Sequence, residues 1–120
     1  MYQEVLMQID KSLMAGSTTL LILSLLREGE KYGYEMIAEL ARRSNDTFQL
    51  KEGTLYPILH GLEKEGAVKS YRREAENGRE RKYYRITAAG LSLLEEKTQQ
   101  WALFTEKVNA VIGSAVPTGA

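Results

Sequence analysis

A stretch of small and polar residues at helical spacing is the first candidate site. Residues 52–66 read EGTLYPILHGLEKEG, and at about 100° per residue the apolar positions share one side of a helix: Leu55, Ile58, Leu59 and Leu62. The other side carries small residues, a hydroxyl and a cation: Gly53, Thr54, Pro57, His60, Gly61 and Lys64. A helix that lies in the DNA major groove needs such a closely approachable face. The stretch is therefore a candidate recognition helix.

The charges of the chain are concentrated in a second candidate region. The 120 residues have zero net charge, but residues 69–87 carry seven Lys and Arg against three Glu, an excess of +4. A basic stripe on a neutral protein is typical of a nucleic-acid footprint. Charge alone also allows the alternative that this segment is a solvated hairpin with mixed charge.

Composition excludes several classes of protein. The chain has the length of one small domain, contains no cysteine and has a single histidine, so disulfides and common zinc sites are not expected. We expect a cytoplasmic protein, because no apolar run approaches the roughly 20 residues of a membrane span and no signal peptide opens the chain. The motifs of hydrolases, phosphate-cradling loops and metal sites are missing, so we expect neither an enzyme nor a cofactor.

Periodicity predicts the elements that position these regions. Residues 1–15 repeat apolar side chains at helical spacing, and Thr18–Arg27 is apolar nearly all round, which predicts a buried central helix. Tyr32–Arg43 predicts the next helix, with Tyr34 on its core side. Thr47–Leu50 alternates polar and apolar residues, which predicts a very short strand.

A hairpin and a long helix are predicted to follow the candidate recognition helix. Ala67–Glu74 and Arg81–Thr87 are rich in strand-forming residues, and Asn77-Gly78 between them is a strong hairpin signal. Thr87 is expected to cap a helix over Ala88–Ile112. That helix has a heptad seam of the kind found in coiled coils: Leu91, Leu94, Thr98, Trp101, Thr105, Val108 and Ile112.

This order of elements is that of a winged helix-turn-helix, an α+β fold that is mostly α. Because proline is tolerated in the first turn of a helix, Pro57 predicts that the recognition helix begins near Gly53 or Thr54. The predicted organisation is an N-terminal helix, a winged helix-turn-helix DNA-binding domain, a C-terminal dimerisation helix and a flexible tail, over residues 1–15, 16–87, 88–112 and 113–120.

The chain resembles the PadR family of bacterial transcriptional regulators over roughly residues 16–92. The resemblance is carried by Tyr32-Gly33-Tyr34-Glu35-Met36-Ile37, Thr54-Leu55-Tyr56-Pro57-Ile58-Leu59, Leu62-Glu63-Lys64-Glu65-Gly66, Gly78-Arg79-Glu80-Arg81-Lys82-Tyr83-Tyr84-Arg85-Ile86-Thr87 and Gly90. The single C-terminal helix is similar to the compact subgroup of the family. The resemblance implies a homodimer that binds a roughly palindromic operator, usually as a repressor, and releases it on binding a small hydrophobic or aromatic molecule.

The candidate DNA-binding residues lie in three places along the chain: Tyr32; Lys51, Thr54, Tyr56, Pro57, His60 and Lys64; and Arg79, Arg81 and Lys82. The first turn of a recognition helix reads bases. The wing cations are expected at phosphates or in the minor groove, and the Tyr32 hydroxyl is expected at a phosphate. Several alternatives stay open. Tyr56 could pack on the neighbouring helix, Pro57 could simply start its helix, and His60 and Lys64 could be ordinary surface residues.

A second set of residues is expected at a dimer interface or an effector site: Trp101, Thr98, Thr105, Leu94, Val108, Val5, Leu6 and Ile9. Trp101 either fills the dimer core or forms a stacking platform for a flat ligand. The threonines on either side are small for a tight seam, which favours a cavity. An alternative function is a winged-helix protein-interaction module that binds no operator, and a third is a regulator without an effector.

Overall fold

The computed structural model describes residues 9–113 of the protein. Five helices and three strands follow one another in the order α1 Lys11–Ala15, α2 Thr18–Arg27, β1 Lys31–Tyr32, α3 Gly33–Arg43, α4 Glu52–Lys64, β2 Val68–Glu74, β3 Glu80–Ile86 and α5 Ala88–Ile112. The antiparallel sheet has the strand order β1-β3-β2. The predicted winged helix-turn-helix is confirmed, with α4 as the predicted recognition helix and the β2–β3 hairpin as the wing.

The core lies where α2 meets α3, α4 and the base of the wing. It is built from buried apolar side chains of these elements and of the start of α5: Ile22, Leu23, Leu26, Met36, Leu40, Leu55, Leu59, Leu62, Val68, Tyr84 and Leu94. Three leucines of α4 contribute to this core because they recur at spacings of four and three residues. Their burial leaves the opposite side of α4 in solvent.

A glycine allows the close contact between the start of α5 and the base of the wing. A side chain at Gly90, in the first turn of α5, would collide with the carbonyl oxygen of Ala67 and would place a Cβ 2.6 Å from Cγ1 of Ile86. Thr87 caps the same helix by accepting the amide of Gly90 at 3.0 Å, and its own amide donates to Ala67. The start of α5 is thus pinned to the base of the wing.

The structure corrects one predicted strand and the start of the first helix. Thr47–Leu50 is not a strand: Leu50 and Phe48 do pack on the core, but the segment pairs with no strand in residues 9–113, and the third strand is Lys31–Tyr32 instead. The first helix was predicted over residues 1–15, but α1 begins at Lys11, and residues 9–10 are not helical. Asp10 caps the helix by accepting the Ser12 amide at 2.9 Å. Residues 1–8 of the predicted helix lie outside the described residues.

The recognition helix begins one residue earlier than predicted. Lys51 is its N-cap, so Pro57 is the sixth helical residue and lies in the second turn. Proline has no amide hydrogen, and the carbonyl of Gly53 therefore receives no helical hydrogen bond from position 57. The cost is tolerated here because Pro57 is on the exposed side of α4.

Candidate nucleic-acid interface

The exposed side of α4 and the residue before it carry half of the ten residues predicted to contact DNA. Five of them are exposed on or just before this helix: Lys51, Thr54, Pro57, His60 and Lys64. The glycines on the same side add no bulk, so a second surface can approach the helix closely. This side presents hydroxyl, amide and ammonium donors without a carboxylate at its centre, which suits phosphate and base edges.

Tyr56 packs on the neighbouring helix, the alternative left open by the sequence. Its ring is half-buried, and any side chain at Gly33 would clash with its hydroxyl. The His60 ring lies one turn further along α4, with its centroid 6.4 Å from that of Tyr56. The contact between Tyr56 and Gly33 holds the first turn of α3 against α4.

Tyr34 was predicted to face the core, and this prediction is wrong. Its side chain is 66% exposed, whereas Gly33, Met36 and Leu40 form the buried side of α3. The phase of the helix explains the difference, since Tyr34 stands about 100° from Gly33 around the helix axis. The sequence signal that could have shown this is the spacing of Gly33, Met36 and Leu40 by three and four residues, a stripe that does not include Tyr34.

The two faces of the wing are distinct. Paired residues of β2 and β3 share a face, so Val68, Ser70 and Arg72 stand with Ile86, Tyr84 and Lys82 on the inner face, which packs on the core. Lys69, Tyr71 and Arg73 stand with Arg85, Tyr83 and Arg81 on the outer face. Arg81 and Lys82 therefore point to opposite sides of the wing, and Arg79 is exposed in the connecting loop.

The inner face joins the wing to the recognition helix. The Ser70 hydroxyl donates to the Glu63 carboxylate at 2.5 Å. Tyr84 is fully buried beside this pair, and its hydroxyl has no hydrogen-bond partner among residues 9–113. Burial raises the pKa of Tyr84, and the nearby negative charge of Glu63 raises it further.

The outer face carries a stack of tyrosine rings and guanidinium groups that sequence reasoning missed. The ring of Tyr83 meets Tyr32 edge-on at a centroid distance of 5.3 Å and lies parallel to Tyr71 at 6.2 Å. The Arg73 guanidinium lies 3.9 Å from the centroid of the Tyr83 ring, and that of Arg81 lies 5.1 Å from the Tyr32 centroid. Alternation along β3 was the available signal, since it places Arg81, Tyr83 and Arg85 on one face.

Glu30 completes this stack from the loop before β1. Its carboxylate is 3.1 Å from Nε of Arg73, on the same face as Tyr71. Hydrogen bonding to Glu30 raises the pKa of the Tyr71 hydroxyl. Two of the outer-face arginines are thus held by ring or carboxylate contacts, whereas Lys69 and Arg85 are exposed at the base of the wing.

Four of the eight residues in the second predicted set lie in the distal half of α5, residues 98–112: Thr98, Trp101, Thr105 and Val108. Its large apolar side chains are exposed in the single chain: Trp101 by 44%, Leu103 by 57%, Phe104 by 56%, Val111 by 87% and Ile112 by 46%. The rings of Trp101 and Phe104 contact each other with centroids 5.9 Å apart. Thr98 and Thr105 turn their hydroxyls back to carbonyls of their own helix, and Val108 is half-buried.

Not every residue of the predicted seam is free for a partner. Leu94 is buried in the core of its own chain, where the seam meets α2. Ile9 is half-buried in a groove that it shares with Met14 and Phe48. Val5 and Leu6 lie outside the described residues. The described seam residues that stay exposed or half-buried are therefore Leu91 and those of the distal half of α5.

Comparison with known proteins identifies the family. The model of the transcriptional regulator PadR-like family matches residues 22–96. The chain belongs to the PadR-like family of transcriptional regulators. The predicted DNA-binding, transcription-regulating class is confirmed by this membership, as is the prediction that the chain is not an enzyme, because the family is non-enzymatic.

Individual relatives of this PadR-like regulator extend the comparison. A transcriptional regulator from Clostridium thermocellum has a solved structure that is similar with a TM-score of 0.79 and 35% identity, covering 86% of this chain and 100% of that one. An uncharacterized protein of Lysinibacillus sphaericus is 37% identical over 101 residues, which cover 84% of this chain and 93% of that protein. The transcriptional regulator YqjI of Escherichia coli is 28% identical over 102 residues, and the match spans 47% of its length.

Two further findings concern membrane spans and metal sites in the described part of this PadR-like regulator. Between residues 9 and 113, no helix is both long and apolar enough to cross a membrane. The same part of the chain holds no group of three metal-ligating side chains. The described surfaces of α4 and the wing present hydrogen-bond donors and cations.

Proposed function

We propose that this PadR-like regulator binds a palindromic operator as a homodimer, with α4 in the major groove and the wing on the adjacent backbone. The observation that carries the proposal is the exposed side of α4, where Thr54, Pro57 and Lys64 stand together over a buried leucine stripe. Family membership supports DNA as the partner. The +4 excess over residues 69–87 supports phosphate contacts by the wing.

The proposed contacts divide by depth in the groove. Thr54 and Pro57 approach base edges, and Tyr56 and His60 flank them on the side of α3. Lys51, Lys64, Arg79 and Lys82 bind phosphates, because their ammonium or guanidinium groups are on long exposed or half-exposed stems. Arg81 and Tyr32 contribute through the wing that they stabilise.

We propose that dimerisation uses the distal half of α5. Trp101 and Phe104 expose adjoining rings on a helix that continues straight out of the core. Exposed large apolar residues in a row are typical of an interface. A parallel or antiparallel pairing of two copies of α5 would cover them, with Thr98 and Thr105 near the centre.

An aromatic or hydrophobic effector is proposed to bind beside Trp101, and its binding is proposed to relieve repression. The small side chains of Thr98 and Thr105 on either side of the indole support a cavity between two copies. A regulator without an effector remains the alternative, in which Trp101 only packs against its counterpart. Quenching of the Trp101 fluorescence by flat aromatic compounds distinguishes the two, because Trp101 is the single tryptophan of the chain.

Operator binding is tested by a gel shift with the DNA upstream of the protein's own gene, titrated in salt, with an unrelated duplex as control. We expect tight, salt-dependent binding that prefers the upstream DNA. Lys64→Ala should lower the log–log salt slope by about 0.9, the value for one lost phosphate contact. Arg27→Ala removes an exposed cation at the end of α2, outside α4, the wing and the distal half of α5; it is the matched control and should leave the slope unchanged.

The outcomes separate the proposal from its alternative. Weak and equal binding to both duplexes would contradict operator recognition and favour a protein-interaction module. Equal slopes for Lys64→Ala and the wild type would remove Lys64 from the contact surface while leaving operator binding intact.

A further inference from the structure

The start of α3 carries two tyrosines with different environments. We propose that Tyr34 donates its hydroxyl to a phosphate of the operator, and that Tyr32 is a positioning residue that holds the wing in place. The inference rests on the proposed function, since it requires a DNA partner. It departs from the sequence expectation, which gave the phosphate contact to Tyr32.

The ring of Tyr32 is held on both sides. One neighbour is Tyr83 of the wing, at an edge-on distance of 5.3 Å, and another is the Arg81 guanidinium at 5.1 Å. The backbone of Tyr32 also pairs with Tyr83, and its amide donates to the Glu35 carboxylate at 3.1 Å. These contacts use the ring and the backbone, and they connect the wing to α3.

Tyr34 lies two residues further, where α3, α4 and the wing meet. Gly33 on one side contacts Tyr56 of the recognition helix, and Tyr32 beyond it contacts the wing. The backbone of Tyr34 thus follows directly after residues that contact both candidate DNA-binding elements, and its side chain is 66% exposed. In helix-turn-helix proteins the helix before the recognition helix crosses the DNA backbone. Tyrosine hydroxyls are among the donors that bind phosphate.

The chemistry of a phenol makes the proposal separable from the cation contacts. Tyr34 is neutral, so its hydrogen bond to a phosphate releases no counterion and does not change the salt slope. A hydrogen bond to a charged acceptor accounts for about tenfold in affinity or more. A contact with phosphate alone affects all DNA sequences equally.

The experiment compares Tyr34→Phe with Tyr32→Phe, a pair that removes one hydroxyl each at neighbouring positions. We expect Tyr34→Phe to weaken binding to the upstream duplex about tenfold, with unchanged salt slope and unchanged thermal stability. Tyr32→Phe should bind like the wild type, because the ring contacts are kept. A series of duplexes with one neutral methylphosphonate each should show one position whose penalty is lost in Tyr34→Phe.

The positioning role of Tyr32 is tested by removing its ring. Tyr32→Leu should lower the salt slope, because the wing cations lose their fixed position, and Tyr32→Phe should restore it. Wild-type affinity of Tyr34→Phe, or a tenfold loss in Tyr32→Phe, would overturn the assignment. If the wild type fails to bind any duplex, the proposed function fails and takes this inference with it, whereas normal wild-type binding confines a failure to the two tyrosines.

Discussion

Large apolar side chains are buried in the core formed by α2, α3 and α4, whereas they are exposed in the distal half of α5. In the core, Ile22, Leu55 and Leu59 are fully buried within one chain. In the distal half of α5, Trp101 and Phe104 expose about half of their surface. The first region is complete within one chain, whereas the second leaves its aromatic side chains in solvent. The contrast teaches that the proposed DNA-reading unit needs only one chain, whereas the proposed dimerisation draws on the distal half of α5.

The largest effect on stability is expected when a buried side chain of the core is shortened. Leu59→Ala should lower the free energy of unfolding by about 2–5 kcal/mol, because Leu59 is fully buried and its removal leaves a cavity. Leu103→Ala removes the same atoms from an exposed position on the side of α5 away from Trp101, and should change stability by less than about 0.5 kcal/mol. Urea denaturation measures both. Similar losses in the two variants would abolish the contrast between the regions.

The proposed dimerisation through the distal half of α5 is tested by its dependence on protein concentration. Trp101→Ala should raise the dimer dissociation constant by about 30-fold or more, since truncating a central interface aromatic costs about 2–4 kcal/mol. Sedimentation equilibrium at several loading concentrations measures this. Gln99→Ala, on the opposite side of the same helix, is the control. A wild type that stays monomeric at every concentration would show that α5 is completed by something other than a second copy.

The junction between the two regions should respond to a single methyl group. Gly90→Ala should destabilise the protein by about 1–3 kcal/mol, because the added Cβ meets the Ala67 carbonyl. Gly61→Ala is the matched control. It lies in the middle of α4 with open space around it in residues 9–113, and should stabilise the helix by about 0.5–1 kcal/mol. Thermal unfolding compares the two, and a neutral Gly90→Ala would contradict the close contact.

The smallest effect concerns acid stability at the edge of the core. The guanidinium groups of Arg42 and Arg43 hold the pKa of Glu39 at about 2, below the usual 4.5, through hydrogen bonds of 2.5 and 2.6 Å. A lowered folded-state pKa stabilises the fold above pH 4.5, and this contribution is lost as the pH falls toward 2. Glu39→Gln should therefore flatten the stability profile between these values. The effect is small because the group is near solvent, and an unchanged profile would exclude Glu39 as its cause.

Long periodic elements could be predicted from the sequence, and short ones could not. The range Thr18–Arg27 was predicted at its observed bounds, because ten residues carry enough apolar positions to define a helix. The two-residue strand Lys31–Tyr32 has no period of its own and exists only through its pairing with Tyr83 and Tyr84. Thr47–Leu50 shows the converse: its alternation correctly indicated side chains that pack on the core, but alternation does not supply a partner strand.

The candidate site was predicted by residue type and only partly by arrangement. The outward side of α4 follows from helical spacing, so Thr54, Pro57 and Lys64 could be placed from the sequence. The position of the Tyr32 ring could not, because it depends on contacts with Tyr83 and Arg81, which are about fifty residues away in the chain. Contacts of that kind are tertiary, and local pattern carries no information about them.

The one-sided anchoring of α5 gives the molecule a lever. Twenty-two of the 25 helical residues of α5 lie beyond a fulcrum at Gly90 and extend about 33 Å from it, and at Gly90 the helix is pinned to Ala67 beneath the wing. A tilt of about 5° at that fulcrum moves the far end by about 3 Å. In the proposed dimer the same coupling acts in the opposite direction. If a ligand or a partner pushes the far ends of the two α5 helices apart, the two wings and recognition helices move with them. Half-sites one turn of DNA apart tolerate little change in that span.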